Sequence, residues 1–223
     1  MKPSAVAGLA AVLAAMSGCL SKPALVPQLF SIDPPAERTA SPAPGARVIC
    51  LRDVEMAPQF DHTDLLYRTR EHRLESDPLA RFAAPPGAML TDSVRAHLLN
   101  ASFIRDVVSP GDPVPVDAIV ETRATELSAD LTAATDAAAL MTLEFVVSPG
   151  TESTAPESVF RKQYARRARL SRRTAGALVD AWNLEVADIM HDFLHDLEAF
   201  LASAPDRANA HEGSVEKPGS LGR

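Results

Sequence analysis

The sequence predicts an α+β domain, a mostly antiparallel or mixed sheet with a mid-chain helix and a long C-terminal helix packed on it. Three observations predict it. Residues 117–131 and 138–148 alternate apolar and polar side chains with the period of two that a pleated strand imposes. In the second segment Met141, Leu143, Phe145 and Val147 make one face almost wholly apolar, the pattern of a half-buried hairpin. From 174 to 201, Leu178, Trp182, Val186, Ile189, Phe193, Leu197 and Phe200 recur every three or four positions, as they do on a helix that buries one stripe. Pro85, Pro86 and Gly87 precede Met89, Val94 and Leu98, which share one helical face, and proline is tolerated in a first turn.

Ahead of this domain the chain reads as a leader. Lys2 is followed by an apolar run over 5–15, and Ser17 and Gly18 lead into Cys19, the layout of a secretory signal too short to span a bilayer. The segment Met16-Ser17-Gly18-Cys19 resembles the lipobox of bacterial lipoproteins, with Met16 where Leu is commoner. That resemblance implies cleavage between Gly18 and Cys19 and lipid attachment at Cys19. The competing readings are an ordinary secretory signal with a chance cysteine, and a cytosolic protein with an apolar start. The expected organisation is a signal over 1–18, a lipidated tether over 19–28, the α+β domain over 29–202 and a disordered tail over 203–223, where apolar periodicity is absent.

Between tether and hairpin, residues 29–32 fit a first strand, and the proline-rich stretch 33–46 fits a loop because Pro34, Pro35, Pro42 and Pro44 remove backbone donors. Residues 48–54 and 64–69 have strand character, and a bend near Asp61 is expected to set them side by side. Residues 103–108 fit a further strand and 109–113 a turn. Alanine content leaves helix as a competitor for 133–143. Residues 149–156 read as a loop and 159–170 as a third long strand.

Composition narrows the function classes. The chain carries 22 basic and 29 acidic residues, a formal charge of −7, and loss of residues 1–18 removes one lysine and no acid. Nucleic acid is therefore not an expected partner. Cys50 lies in an apolar stretch and loses its one potential partner if Cys19 is lipidated, so a buried free thiol is expected. His191 and His195 have the i, i+4 spacing of zinc ligands, but they lie two positions from the stripe residues Ile189, Phe193 and Leu197 and should face solvent. Asp180, Glu185, Asp188, Asp192, Asp196 and Glu198 are expected on the same polar side. Neither a phosphate-binding glycine loop nor a nucleophile elbow is present, so no catalytic residue, metal or cofactor is assigned.

The segment 159–170 and its continuation hold a run of cations, Arg161, Lys162, Arg166, Arg167, Arg169, Arg172 and Arg173. One reading is a solvated edge strand whose charge discourages aggregation and pairs with the protein's own carboxylates. The other makes Arg161, Lys162, Arg166, Arg167 and Arg169 a contact for anionic phospholipid headgroups or an acidic partner.

The lipobox, Asp64-Leu65-Leu66-Tyr67-Arg68, Arg81-Phe82-Ala83-Ala84-Pro85-Pro86 leading into a helix, and Ala177-Leu178-Val179-Asp180-Ala181-Trp182-Asn183 together resemble the ABC-type transport auxiliary lipoprotein family, which includes PqiC-like lipoproteins of intermembrane transport systems. Phe82 stands where members usually carry Trp. The resemblance implies a non-catalytic subunit lipid-anchored in the outer membrane and facing the periplasm. Its implied partners are an MCE-domain protein with an ABC permease and ATPase, together moving phospholipid or other lipids between membranes; it also admits a homo-oligomer. The alternatives are a scaffold lipoprotein of another cell-envelope machine and, third, a periplasmic hydrolase.

Overall fold

The computed structural model describes residues 26–33, 41–133, 135–150 and 159–203. Their elements are, in chain order, β1 (Gln28–Phe30), β2 (Arg47–Leu51), β3 (Glu55–Met56), a 3-10 turn (Pro58–Phe60), β4 (Asp64–Arg70), β5 (Arg73–Phe82), α1 (Pro86–Asn100), β6 (Ile104–Val108), β7 (Ala118–Asp130), β8 (Ala138–Pro149), β9 (Phe160–Arg169) and α2 (Ala175–Ser203). The signal, most of the tether, part of the proline-rich loop and the tail lie outside the described residues.

The alternating segments form the expected hairpin: β8 pairs antiparallel with β7 from Ala118↔Pro149 to Asp130↔Ala138, and β9 pairs antiparallel with β8. Residues 138–143 are strand rather than helix, because their alternate apolar side chains complete the face begun by Phe145 and Val147. β7 is 13 residues long, and its other edge takes three short parallel strands in succession. β2 lies at Ala118–Val120, β3 at Arg123 and Ala124, and β4 at Ala129 and Asp130. Bridging hydrogen bonds continue the ladder: Arg52 N–H donates to Val120 O at 3.0 Å, Ala57 N–H to Ala124 O at 2.9 Å and Leu131 N–H to Arg68 O at 2.8 Å.

This arrangement corrects the expected pairing of 48–54 with 64–69. Both segments run parallel to β7 and therefore lie end to end, since the turn at Pro58–Phe60 steps the chain along the edge without reversing it. The strand assigned to 48–54 also stops at Leu51 and resumes at Glu55. β4 instead pairs with β5, a strand the alternation did not predict; His72 at φ 59° closes that hairpin. β1 adds to β5 in parallel, and β6 to β2.

The apolar stripe of α2 packs on β8 and β9. Trp182, Ile189, Phe193 and Leu197 are fully buried against Met141, Leu143, Phe145 and Val147. Phe193 stacks on Phe145 with centroids 3.9 Å apart, and Tyr164 meets both rings edge-on. Each large side chain so buried contributes up to about 1.5–3 kcal/mol. α1 packs against α2, β3 and β6. Its start lies close enough to the β3 segment that a Cβ on Gly87 would sit 2.9 Å from Val54 O. Thr91 Oγ1 fixes the same junction, accepting from Val54 N–H and donating to Gly87 O, both at 2.8 Å. Val48, Cys50 and Val108 form a small separate cluster that contains the buried Cys50 thiol.

Candidate functional site

Three motif segments distant in sequence meet where β1 enters the sheet. Arg81 Nε donates to Asp64 Oδ1 at 2.7 Å, the Phe82 ring lies 5.6 Å from that of Trp182, and Asn183 Oδ1 accepts from Asp33 N–H at 3.0 Å. Trp182 Nε1 donates to Leu140 O at 3.2 Å, so the indole satisfies its one donor while its ring fills the core. The motif residues thus fasten the β1–β5 edge to α2.

Beside this junction, between β5 and the start of α2, lies a groove of about 360 Å³ walled by Tyr67, Asp77, Pro78, Leu131 and Leu170. Tyr67 Oη donates to Asp77 Oδ2 at 3.0 Å; burial, with that bond and the carboxylate charge, pushes the phenol above its ordinary range. Arg173 donates to Leu131 O at 2.9 Å and closes one end. A second hollow of about 290 Å³ shares Asp77 and Ala175 with the groove and reaches Val26, Gln28 and Leu79. Here apolar side chains face outward: Val26 is 83% exposed, Leu29 67% and Leu79 42%.

The basic strand β9 occupies the opposite edge of the path β1-β5-β4-β7-β8-β9. Pleating divides its cations between two faces. Lys162 and Arg166 point to the helix side, where Lys162 Nζ is 2.6 Å from Asp196 and Arg166 pairs with Asp192 of α2. Arg161 pairs with Glu144 at 2.6 Å and Arg167 with Asp136 at 2.8 Å on the other face, while Arg169 lies 4.0 Å from Asp136. The five residues are therefore not one patch, and each has a carboxylate of the same chain beside it. Asp196 is held below the usual carboxylate range by hydrogen bonds first from Lys162 and then from Tyr164.

Glu185 departs from the expected solvent-facing row of acids. It is 2% exposed, its Oε1 accepts from Ala168 N–H of β9 at 2.8 Å, and its Oε2 has no hydrogen-bond partner. Burial pushes its carboxyl up to about 7, opposed by the Ala168 bond and Arg166. The signal was present in the spacing, since Glu185 stands three residues after Trp182 and four before Ile189, on the apolar stripe itself. His191 and His195 are exposed on α2. Among the described residues no group of three or more His, Cys, Asp or Glu side chains could hold a metal ion, and no helix is long and apolar enough to cross a membrane. Gly18 and Cys19 lie outside the described residues.

A family model described as the ABC-type transport auxiliary lipoprotein component matches residues 30–191. The chain belongs to this family. The matched span runs from β1 into α2 and contains every motif that meets at the β1 junction. Membership makes the protein an auxiliary component of ABC-type transport, associated with the cell envelope. Among solved structures, protein XCC0632 from Xanthomonas campestris superimposes with a TM-score of 0.61 at 14% identity, covering 78% of this chain and 99% of its own. An uncharacterized protein gives the same TM-score at 10% identity, covering 77% of this chain and 99% of its own. At these identities the likeness is one of fold. No curated protein matches the chain.

Proposed function

We propose that this auxiliary lipoprotein is a subunit of an MCE/ABC-type intermembrane transport system that moves phospholipid. A lipid on Cys19 holds it in the outer membrane, and its domain faces the periplasm over residues 29–202. The observation that carries the reading is the family match over 30–191, directly downstream of the lipobox Met16-Ser17-Gly18-Cys19. The chain acts by position rather than catalysis: it docks or receives the far end of a lipid conduit built by an MCE-domain protein over an ABC permease and ATPase.

Two features support a docking role. The strongly perturbed side chains Tyr67, Tyr164 and Glu185 are bonded within the fold, to Asp77, Asp196 and the Ala168 amide. On β9, at the edge away from β1, the cations of the face turned from α2, Arg161, Arg167 and Arg169, are the surface we assign to an acidic partner, whose carboxylates would replace Glu144 and Asp136. Neutralising Arg161, Arg167 and Arg169 together is expected to weaken association with that partner; unchanged association removes that surface. For the anchor, Cys19→Ser is expected to abolish palmitate labelling and release the chain from membranes, and retained labelling refutes it.

A further inference from the structure

We propose that the β1 edge of the sheet, with Val26, Leu29 and Leu79 at its surface, seats on the headgroup–acyl boundary of a phospholipid bilayer. The proposal rests on the Cys19 anchor and goes beyond it, because an anchor alone leaves the orientation of the domain open.

Single exposed apolar residues are ordinary on a protein surface, and Leu184 on α2 is one. The β1 set differs by adjacency. Gln28 pairs with Ala80 and Leu29 with Arg81, so Leu29, Leu79 and Arg81 project from one side of the two strands, while Val26 and Leu79 line the same hollow. β1 has no further strand on its outer side among the described residues.

Chain length limits how far this edge can stand from the membrane. Val26 is seven positions after Cys19, and a fully extended chain of that length spans at most about 25 Å. A lipid on Cys19 therefore keeps Val26 within that distance of the headgroups, with the start of β1 at Gln28 two residues further on. β9 lies five strand spacings away, about 24 Å across the sheet. The β1 edge carries little free charge: Arg81 is paired with Asp64, and Asp77 accepts from Tyr67 and from Leu79 N–H. Its contact with lipid is accordingly apolar, and independent of anionic lipid content.

The test uses the full acylated chain in phosphatidylcholine vesicles, with and without phosphatidylglycerol. Leu29→Cys, and separately Leu79→Cys, carry an environment-sensitive fluorophore; Leu184→Cys is the reference, and native Cys50 is shielded at 8% exposure. At 29 and 79 the emission is expected to shift to the blue and to be lost on adding spin-labelled lipid, in both compositions, with neither change at 184. Equal behaviour at 29 and 184 overturns the proposal, as does quenching that requires phosphatidylglycerol. A blue shift that grows with protein concentration in lipid-free chain assigns the face to a second copy and also overturns it. Mass spectrometry reads the underlying premise separately: an unacylated Cys19 removes the anchor, and the proposal with it.

Discussion

Replacing Glu185 with glutamine isolates the cost of placing a carboxylate on the buried stripe of α2. Glu185 is 2% exposed and its carboxyl is pushed up to about 7 from an ordinary 4.5, chiefly by burial. Its folded-state pKa lies above the unfolded value. Between about pH 4.5 and 7 the folded chain therefore holds a proton that the unfolded chain has released, and stability falls as pH rises through that window. A tenfold change in proton affinity is about 1.4 kcal/mol, which makes the loss on the order of 3 kcal/mol. In Glu185→Gln the amide oxygen can still accept from Ala168 N–H, and the titration is gone. Urea unfolding of both proteins at pH 5 and pH 8 gives the double difference, in which shared groups such as Asp196 and His97 cancel. The wild type is expected to lose about 2–3 kcal/mol more than the variant over this range. An equal pH dependence in the two proteins would refute the buried-carboxylate account.

Other consequences follow from packing. Phe193→Ala removes the ring stacked on Phe145 and is expected to cost about 3–5 kcal/mol in denaturant unfolding; a loss below about 1 kcal/mol would contradict burial against β8. Gly87→Ala forces a Cβ to within 2.9 Å of Val54 O and 3.2 Å of Met56 Cγ, and is expected to destabilise by about 1–3 kcal/mol. Gly176→Ala, in the first turn of α2, meets nothing nearer than Phe30 Cε1 at 4.0 Å and is expected to stabilise by up to about 1 kcal/mol. Thermal melts that rank these two glycine variants in the opposite order would contradict the α1–β3 and β1–α2 packing.

The long elements were legible in the sequence because each carries its own period. The stripe from Leu178 to Phe200 and the alternation through Met141, Leu143, Phe145 and Val147 are local patterns, and the structure gives them as α2 and the β7–β8 hairpin. β5 was hidden because Glu75-Ser76-Asp77-Pro78 breaks the apolar alternation of Arg73–Phe82 and puts a proline inside the strand. Its pairing with β4 shifts register between Asp64 and Leu66, which accommodates the proline. The end-to-end order of β2, β3 and β4 along β7 was hidden for another reason: strand pattern reports which face is buried, not which edge is occupied.

The same distinction governs the candidate surfaces. The cations of β9 could be counted in the sequence, but their division between α2 and the opposite face needed the register with β8. The boundary proposed at Cys19 rests on residue types alone. That Val26, Leu29 and Leu79 remain exposed depends on β1 closing one side of the sheet, a consequence of nonlocal pairing with β5.

Affinity capture of the membrane-extracted chain, with Cys19 intact and compared against Cys19→Ser, bears most directly on the function. Mass spectrometry of the captured material is expected to find an MCE-domain protein, an ABC permease and ATPase, and co-extracted phospholipid, all lost in the variant. Capture of a β-barrel or cell-wall component in their place, without phospholipid, would contradict the lipid-transport role and make the protein a scaffold of another envelope machine.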